Sequence, residues 1–177
     1  MIKIWLYKLA PFLLLTAIAV FGVLPFFKPG FFPTHDGEWM IIRFSDFHRS
    51  LVDGQWPVRW AGRLNFGYGY PVFNFLYPGT FYFTEIFHLF KLNFIDSVKA
   101  AFIASYILSG LFMYLFVKDI AGRISGLMSA VLYLFTPYRF VDMYVRGSLG
   151  ESVAFIFPPL ILYAINKMFH ARKVTRW

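Results

Sequence analysis

The chain has 177 residues, of which 59% are hydrophobic and 23% aromatic, while only 15% are charged. Soluble globular domains carry about 25% charged residues, so this composition excludes an ordinary soluble fold. The 17 Lys and Arg against nine Asp and Glu give a formal net charge of +8, but so apolar a chain is neither a disordered basic tail nor a nucleic-acid-binding arm. The absence of cysteine excludes a disulfide framework, a thiolate zinc site and a cysteine nucleophile.

Long uncharged segments predict an all-α integral membrane protein with about four transmembrane helices in one membrane domain, 1–177. The first segment, 9–27, exceeds the apolar core of a signal peptide and lacks a small-residue cleavage site, so we interpret it as an uncleaved anchor. Three further spans are predicted at 100–117, 124–138 and 152–168. The last two are short between charges and need snorkelling basic residues at their ends.

The distribution of charge predicts the orientation of these spans. With the N-terminus inside, the short segments 1–8, 118–123 and 167–177 carry a net charge of +7, whereas the remaining polar segments carry +1. This asymmetry follows the positive-inside rule. We therefore expect a protein of the cytoplasmic membrane, with both termini in the cytoplasm and extracytoplasmic loops at 28–99 and 139–151.

The first loop begins with an acidic motif followed by an amphipathic pattern. Apolar residues recur at helical spacing from Met40 to Leu51, before Asp53-Gly54, and predict a helix of about four turns whose apolar stripe lies among lipid headgroups. Four polar residues are expected to face water: Arg43, Asp46, Arg49 and Ser50. Asp36, flanked by His35 and Glu38, stands at the helix start, where it is either an N-cap or a functional carboxylate.

The rest of the first loop is rich in aromatic residues. Most of them fit an interfacial belt, but Trp56, Arg59, Trp60 and Arg63 alternate at i, i+4 spacing and are candidates to hold a lipid phosphate beside an apolar chain. A second interfacial helix is predicted over 76–92, with Glu85 and His88 on one side. The four histidines lack a tight ligand spacing, so no metal site is defined, and His35 is a weak metal candidate.

The second loop compresses two arginines and two acids into 13 residues: Arg139, Asp142, Arg146 and Glu151. One interpretation is that these are snorkelling helix ends joined by ordinary salt bridges. The other is that the short spans hold this loop against the mouth of the first one. Carboxylates and guanidiniums of both loops then meet in one interfacial pocket.

Several motifs carry a resemblance to known membrane enzymes. They are His35-Asp36-Gly37, the Trp-Pro-Val-Arg-Trp run 56–60, Gly-Tyr-Gly-Tyr-Pro 67–71 and Tyr-Val-Arg-Gly-Ser-Leu-Gly-Glu 144–151. In this order the chain resembles the amino-terminal part of GT-C glycosyltransferases. It is similar to bacterial membrane proteins labelled 6-pyruvoyl-tetrahydropterin-synthase-related, and to YfhO-like and mannosyltransferase-like proteins. Met40 departs from the pattern, which has a histidine at that position.

The resemblance implies the front part of a longer protein that transfers a sugar from a polyprenyl-phosphate donor outside the cytoplasm. Asp36 then matches the first-loop catalytic carboxylate, Glu151 and Asp142 match second-loop acids, and Arg139 and Arg146 become candidates for the lipid phosphate. Glu38 is a further catalytic candidate, and a need for a divalent metal stays open. The implied partners are the bilayer and the lipid-linked sugar, with no nucleic acid and no defined oligomeric state. Two alternatives remain: a non-catalytic protein that binds or moves anionic or sugar-linked lipid, and an inactive fragment.

Overall fold

The structure is a computed structural model that describes the backbone of residues 2–170 and the side chains of residues 9–170. The described part of the chain consists of helices and irregular segments. Its α-helices are α1 (Ile2–Val23), α2 (Gly37–Val52), α3 (Val72–Phe75), α4 (Pro78–Leu89), α5 (Phe94–Leu134), α6 (Pro137–Phe140), α7 (Leu149–Ala154) and α8 (Phe157–His170). Three segments are helical, long and apolar enough to cross a membrane: Leu9–Phe27, Phe94–Leu134 and Leu149–His170. The all-helical membrane class is therefore confirmed.

Helix α5 is a hairpin of two arms rather than one straight rod. Its 41 residues are interrupted at Gly122, whose φ of 86° and ψ of 176° are not helical. A Cβ on Gly126 would lie 3.0 Å from the backbone nitrogen of Lys118, and the Tyr106 hydroxyl donates to the Leu134 carbonyl over 2.9 Å. Both pairings lie almost symmetrically about the glycine, so the second arm runs antiparallel to the first. The arms 94–121 and 123–134 contain the predicted spans 100–117 and, except for its last four residues, 124–138.

The other long helices run antiparallel to their neighbouring arms. Phe12 packs edge-on against Tyr114, with ring centroids 5.2 Å apart, while Gly22 of the same helix packs against Tyr106. At one end of the bundle, Lys167 of α8 forms an ion pair with Asp119 beside the hairpin turn. The predicted inner segments 118–123 and 167–170 thus lie together; residues 171–177 of that predicted segment lie outside the described residues.

Helix α2 confirms the predicted amphipathic helix but not its environment. Phe44 and Phe47 are fully buried against α4 and α5, and Phe47 contacts the rings of Phe73 and Phe81 at centroid distances of 5.2 and 5.5 Å. The apolar stripe therefore packs on protein rather than among headgroups. Asp46 and Ser50 are also buried, which corrects the prediction that they face water. Asp46 accepts a hydrogen bond from the Arg63 N–H and Ser50 donates one to the Trp60 carbonyl, contacts that a helical pattern cannot reveal.

The ends of the first loop are drawn together by Lys99. Its ammonium group donates to the Lys28 carbonyl over 2.7 Å and pairs with Asp96 at 3.3 Å. Lys28 follows a 3₁₀ turn that ends the first span, and Lys99 lies in the second turn of α5. The two ends of the 72-residue segment between the first two spans therefore meet, while α2 and α4 within this segment pack on α5.

The second predicted loop is mostly helical, contrary to expectation. Residues Val141–Arg146 continue α6 as a π-helical turn, which ends at Gly147 in the left-handed conformation with φ 69°. Helix α7 then begins at Leu149, inside the segment predicted as loop. Pro137, which starts α6, ends the predicted third span early because the chain turns at Thr136. This compact turn fixes the directions of the polar side chains described next.

Candidate functional site

The first and second loops meet through their backbones. The N–H of His35 donates to the Val145 carbonyl over 3.0 Å, and the N–H of Asp36 donates to the Arg146 carbonyl over 2.7 Å. Gly147 packs against this junction so closely that a Cβ there would clash with the side chain of Thr34. The acidic motif of the first loop is thus joined to the second loop, as the sequence suggested.

The carboxylate of Asp36 is not used as a helix cap. Asp36 occupies the N-cap position of α2, but it makes no capping hydrogen bond with its side chain. Instead, the Thr34 hydroxyl accepts from the Gly37 N–H over 2.9 Å. The side chain of Asp36 is half-buried, and that of neighbouring Glu38 is exposed. The N-cap interpretation of the Asp36 carboxylate is therefore wrong, and the hydroxyl of Thr34 accepts the capping hydrogen bond instead.

Tyr77 links the first-loop acid to the second loop. Its ring packs on Gly150, and its hydroxyl lies beside Ser148. Partial burial raises the pKa of Tyr77 above its usual range, Arg43 lowers it, and Asp36 opposes Arg43. Tyr77 therefore lies within electrostatic range of both a carboxylate and a guanidinium from α2.

Arg43 is the cation of this group. Its guanidinium carbon lies 5.9 Å from the centre of the Trp39 ring, and its buried Nε has no hydrogen-bond partner among the described residues. The side chain is only half-buried overall, so part of the guanidinium is accessible. A guanidinium that is not engaged by a carboxylate is well suited to a phosphate, because its N–H fork matches two phosphate oxygens.

An apolar cavity of about 430 Å³ opens beside Tyr77. Its walls come from α4, the first arm of α5 and the α7–α8 break, with Tyr77 and Gly150 at the polar side. The lining residues are Tyr77, Gly79, Thr80, Phe83, Leu108, Gly150, Val153, Ala154, Ile156 and Phe157. Such a groove suits an aliphatic chain whose polar head reaches Asp36 and Arg43.

The charges of the second loop engage one another. Arg146 forms a fork on Glu151, with nitrogen–oxygen distances of 2.7 and 2.6 Å, and the Tyr138 hydroxyl donates to the same carboxylate over 2.7 Å. Hydrogen bonding to Glu151 raises the pKa of Arg146. The geometry matches the salt-bridge interpretation of this loop, so Arg146, a sequence candidate for lipid phosphate, already holds a carboxylate.

Asp142 lies beneath this pair and is fully buried. One carboxyl oxygen accepts from the Ser152 hydroxyl over 2.8 Å, while the other lies 3.8 Å from Arg146 and has no hydrogen-bond partner among the described residues. Burial raises the pKa of Asp142 to about 6. A substrate cannot reach this carboxyl directly, so its position differs from that expected of a catalytic acid.

Arg139 is buried in an aromatic cage and is not available to a lipid phosphate. Its guanidinium carbon lies 4.5 Å from the ring centre of Phe155, 4.9 Å from that of Tyr106 and 5.6 Å from that of Tyr133. Only 1% of the residue is exposed, and burial lowers its pKa. This burial corrects the sequence hypothesis, since rings from both arms of α5 and from the α7–α8 break enclose a residue that was expected to snorkel.

The Trp–Arg run of the first loop does not form a helical face. Residues 53–64 are irregular, so i, i+4 spacing there does not align side chains. Arg63 pairs with Asp53 at 2.8 Å, whereas Arg59, Trp56 and Trp60 are exposed. These residues stay candidates for lipid contact, but the structure does not bring them into the Asp36–Tyr77 group.

Histidines form one further cluster without metal-site geometry. The Nδ1 of His48 lies 2.8 Å from an Oε1 of buried Glu85, and the rings of His48 and His88 meet at 4.4 Å. His35 is exposed. Among residues 9–170, no group of three or more His, Cys, Asp or Glu side chains is arranged to hold a metal ion.

Sequence reasoning missed Arg43 and Tyr77. Arg43 was assigned to the water-facing side of α2, and Tyr77 to the aromatic belt. One signal was available for Arg43, because it lies two helical turns from Asp36 and therefore on the same side of α2. No sequence signal pointed to Tyr77, whose role depends on contact with Gly150.

Comparison with known proteins gives one distant relative to report. An uncharacterized protein of Lactococcus lactis subsp. cremoris (strain MG1363) is 22% identical over 171 residues, which cover 94% of this chain. The chain spans 28% of the length of that relative. No protein family and no solved structure matches the chain.

Proposed function

We propose that this chain is the amino-terminal part of a membrane glycosyltransferase of GT-C type that uses a polyprenyl-phosphate sugar outside the cytoplasm. The observation that carries the proposal is an apolar cavity of about 430 Å³ whose wall includes Tyr77, a residue whose pKa responds to the charges of Arg43 and Asp36. A lipid-linked sugar needs all three features: an apolar groove for its chain, a cation for its phosphate and a carboxylate near its sugar.

The chemistry assigns one role to each group. The carboxylate of Asp36 accepts the proton of an acceptor hydroxyl as its oxygen bonds to the sugar C1. The bond between C1 and the phosphate oxygen breaks, and Arg43 stabilises the negative charge left on the polyprenyl phosphate. Arg146 and Glu151 position the second loop, while Tyr77 separates the apolar groove from the charged groups.

The sidedness of the bundle supports four spans with the site outside. The α5 hairpin, α1 and α8 give four helical segments of alternating direction. The described parts of the basic segments, 118–123 and 167–170, lie at the end of Asp119 and Lys167, and the acidic motif lies at the other end, which the positive-inside rule assigns to the exterior. On this proposal both termini are cytoplasmic.

Labelling of single cysteines tests the topology, since the chain has none of its own. Ile120→Cys and Asn65→Cys both place a thiol at an exposed position, at opposite ends of the bundle. We expect an impermeant maleimide added to intact cells to label position 65, and position 120 only after permeabilisation. Labelling of position 120 in intact cells would contradict the four-span arrangement.

A second candidate function is supported by the same cavity: binding or moving an anionic or sugar-linked lipid without chemistry. An assay of sugar transfer distinguishes the enzyme from the lipid-binding protein. The protein, as its native locus encodes it, is reconstituted with polyprenyl-phosphate sugars carrying radiolabelled glucose, mannose or N-acetylglucosamine. The enzyme converts donor to free polyprenyl phosphate with acceptor present, whereas a lipid-binding protein retains the donor intact.

A further inference from the structure

A second cavity lies on the outer surface, next to the Asp36–Tyr77 group but separate from the apolar groove. It has a volume of about 500 Å³ and is lined by Trp39, Leu64, Asn65, Phe66 and Tyr70. Unlike the first cavity it combines three aromatic rings with an amide side chain. Trp39 is half-exposed at 54%, and Phe66 is completely exposed.

One wall of this cavity is a loop with a firmly held base, the 61–70 loop. Ala61 and Tyr70 exchange two backbone hydrogen bonds of 3.0 and 3.2 Å, and the Leu64 carbonyl accepts from the N–H groups of Gly67 and Gly69. Ala61 is fully buried. The loop therefore keeps one shape without support at its tip.

The tip of the 61–70 loop is held in an unfavourable conformation. Asn65 and Phe66 have φ values of 54° and 58°, in the left-handed region that residues with a side chain rarely adopt. This conformation leaves the Phe66 ring fully exposed. Residues held in sparsely populated backbone conformations concentrate at binding sites, so this ring is a candidate contact for a ligand.

The other wall connects the cavity to the proposed catalytic carboxylate. Trp39 lies in the first turn of α2, three residues after Asp36. The guanidinium carbon of Arg43 lies 5.9 Å from the centre of the Trp39 ring. A ligand on Trp39 is therefore adjacent to both charged groups. Transfer requires an acceptor hydroxyl at Asp36, and the apolar groove on the side of Tyr77 is suited to the lipid chain.

We infer that the cavity between Trp39 and the 61–70 loop binds a saccharide, the acceptor of the transfer reaction. A pyranose ring offers an apolar C–H face to flat aromatic rings and a rim of hydroxyls to the Asn65 amide, which both donates and accepts. The combination of exposed rings and an amide matches this ligand better than a bilayer, in which the Asn65 amide would lose its water. That the bound saccharide is the acceptor of the reaction rests on the proposed function.

Binding is measured without any donor, so that it does not depend on catalysis. The protein in phospholipid nanodiscs is mixed with methyl α-glucopyranoside, methyl α-mannopyranoside and N-acetylglucosamine, and saturation-transfer NMR reports contact with each sugar. We expect transfer to the ring protons of at least one sugar. No transfer to any of the three would overturn the inference.

Variants of the loop separate binding from loop structure. Phe66→Ala and Trp39→Ala should weaken binding about tenfold, which corresponds to the loss of one aromatic contact. Asn65→Gly relieves the left-handed strain and removes only the amide, so it should weaken binding about fivefold while keeping the loop. Tyr68→Ala is the matched control, because Tyr68 is 83% exposed on the same loop but does not line the cavity.

Two outcomes contradict the saccharide site without touching the proposed transfer reaction. One is equal weakening by Tyr68→Ala and Phe66→Ala. The other is a spin label at Phe66→Cys that is accessible to oxygen but not to a water-soluble nickel reagent, which would place the tip in the bilayer. Conversely, sugar binding by a protein that never transfers sugar would contradict the proposed function and leave the saccharide site in place.

Discussion

The two sides of the candidate site use their charges in opposite ways. On the side of the second loop, Arg146, Glu151 and Tyr138 bond to one another within 2.6 to 2.8 Å. On the side of the first loop, Asp36 makes no capping bond with its side chain, and Arg43, whose guanidinium carbon lies 5.9 Å from the centre of the Trp39 ring, makes no ion pair with a carboxylate among residues 9–170. Charges that neutralise each other hold a structure, whereas charges without a partner are available to a ligand. On the proposed function, the groups that contact the ligand lie at the start of α2, and the second loop supports them.

The largest expected effect is at Asp36. Replacement of Asp36 by Asn keeps the shape of the side chain and removes the base, so sugar transfer should fall by about 100- to 10,000-fold. Stability should change little, because Thr34 provides the cap. The measurement is the rate of donor consumption at matched expression and melting temperature.

Asp53→Asn serves as the control for this substitution, since Asp53 ends the same helix and pairs with Arg63 at the surface. Surface pairs contribute little, so the control should transfer sugar at the parent rate. An Asp36→Asn variant within a few-fold of the parent would move the catalytic role to Glu38 or Glu151.

The second-largest expected effect is on lipid binding, and it distinguishes Arg43 from Arg146. Arg43→Gln should weaken binding of polyprenyl phosphate by about 10- to 100-fold, because a charge-assisted hydrogen bond is lost. Arg146→Gln should instead lower the melting temperature, since Glu151 loses its fork. Binding is measured by quenching of a fluorescent polyprenyl phosphate in nanodiscs.

Arg49→Gln is the matched control for Arg43, as Arg49 lies exposed on the last turn of the same helix. If Arg146→Gln weakens lipid binding and Arg43→Gln does not, the assignment of support and function is reversed.

A smaller effect concerns the junction between the two sides. Gly147→Ala places a methyl group against Thr34 and the backbone of Gly37, in a left-handed conformation. Gly54→Ala has the same backbone problem, with φ 93°, but meets open space. Both should lose about 1–2 kcal/mol through their backbones. Gly147→Ala should lose a further 1–3 kcal/mol, roughly, through overpacking, and transfer activity with it.

Denaturant unfolding in detergent measures both glycine variants. Equal destabilisation of the two would mean that the contact between the loops contributes nothing to stability.

The smallest expected effect is a pH dependence from Asp142. Its pKa is raised to about 6 by burial, so between about pH 4 and 6 the folded state binds more protons than the unfolded one. Stability from this group is present at pH 4 and is lost as the pH rises through 6. Asp142→Asn should therefore remove this slope and raise stability at pH 8 by on the order of 2 kcal/mol. Melting temperatures of the parent and of Asp142→Asn, measured from pH 4 to 8, check this prediction. Parallel curves for the two proteins would contradict it.

The sequence was sufficient for features that depend on nearby residues. Uncharged runs located the helical segments that are long and apolar enough to cross a membrane, because crossing a bilayer requires about 20 apolar residues. The recurrence of Met40, Phe44 and Phe47 located α2, although its apolar face packs on protein and not among headgroups as predicted. Contact between the two loops was also expected, from the shortness of the spans around the second loop. In the structure, backbone hydrogen bonds join His35 and Asp36 to the second loop.

The features that the sequence did not reveal depend on distant contacts. Arg139 looked like a snorkelling helix end, but its cage consists of rings from α5 and from the α7–α8 break. Asp46 looked solvent-exposed because the residues that cover it follow about 15 positions later, in a segment without regular structure. The i, i+4 pattern of Arg59 and Arg63 suggested a common face, although the segment is not helical.

The contact between Lys99 and the Lys28 carbonyl joins the two ends of the segment 28–99 and makes it a closed loop. Because the entropy of closing a loop grows only slowly with its length, residues can be inserted into such a segment at a cost of about 0.6 kcal/mol for each doubling. Turns such as Gly30 and Gly54, where a side chain would meet nothing, are suitable insertion points. In evolution this segment can therefore change size while the long helices to which it is joined keep the same packing.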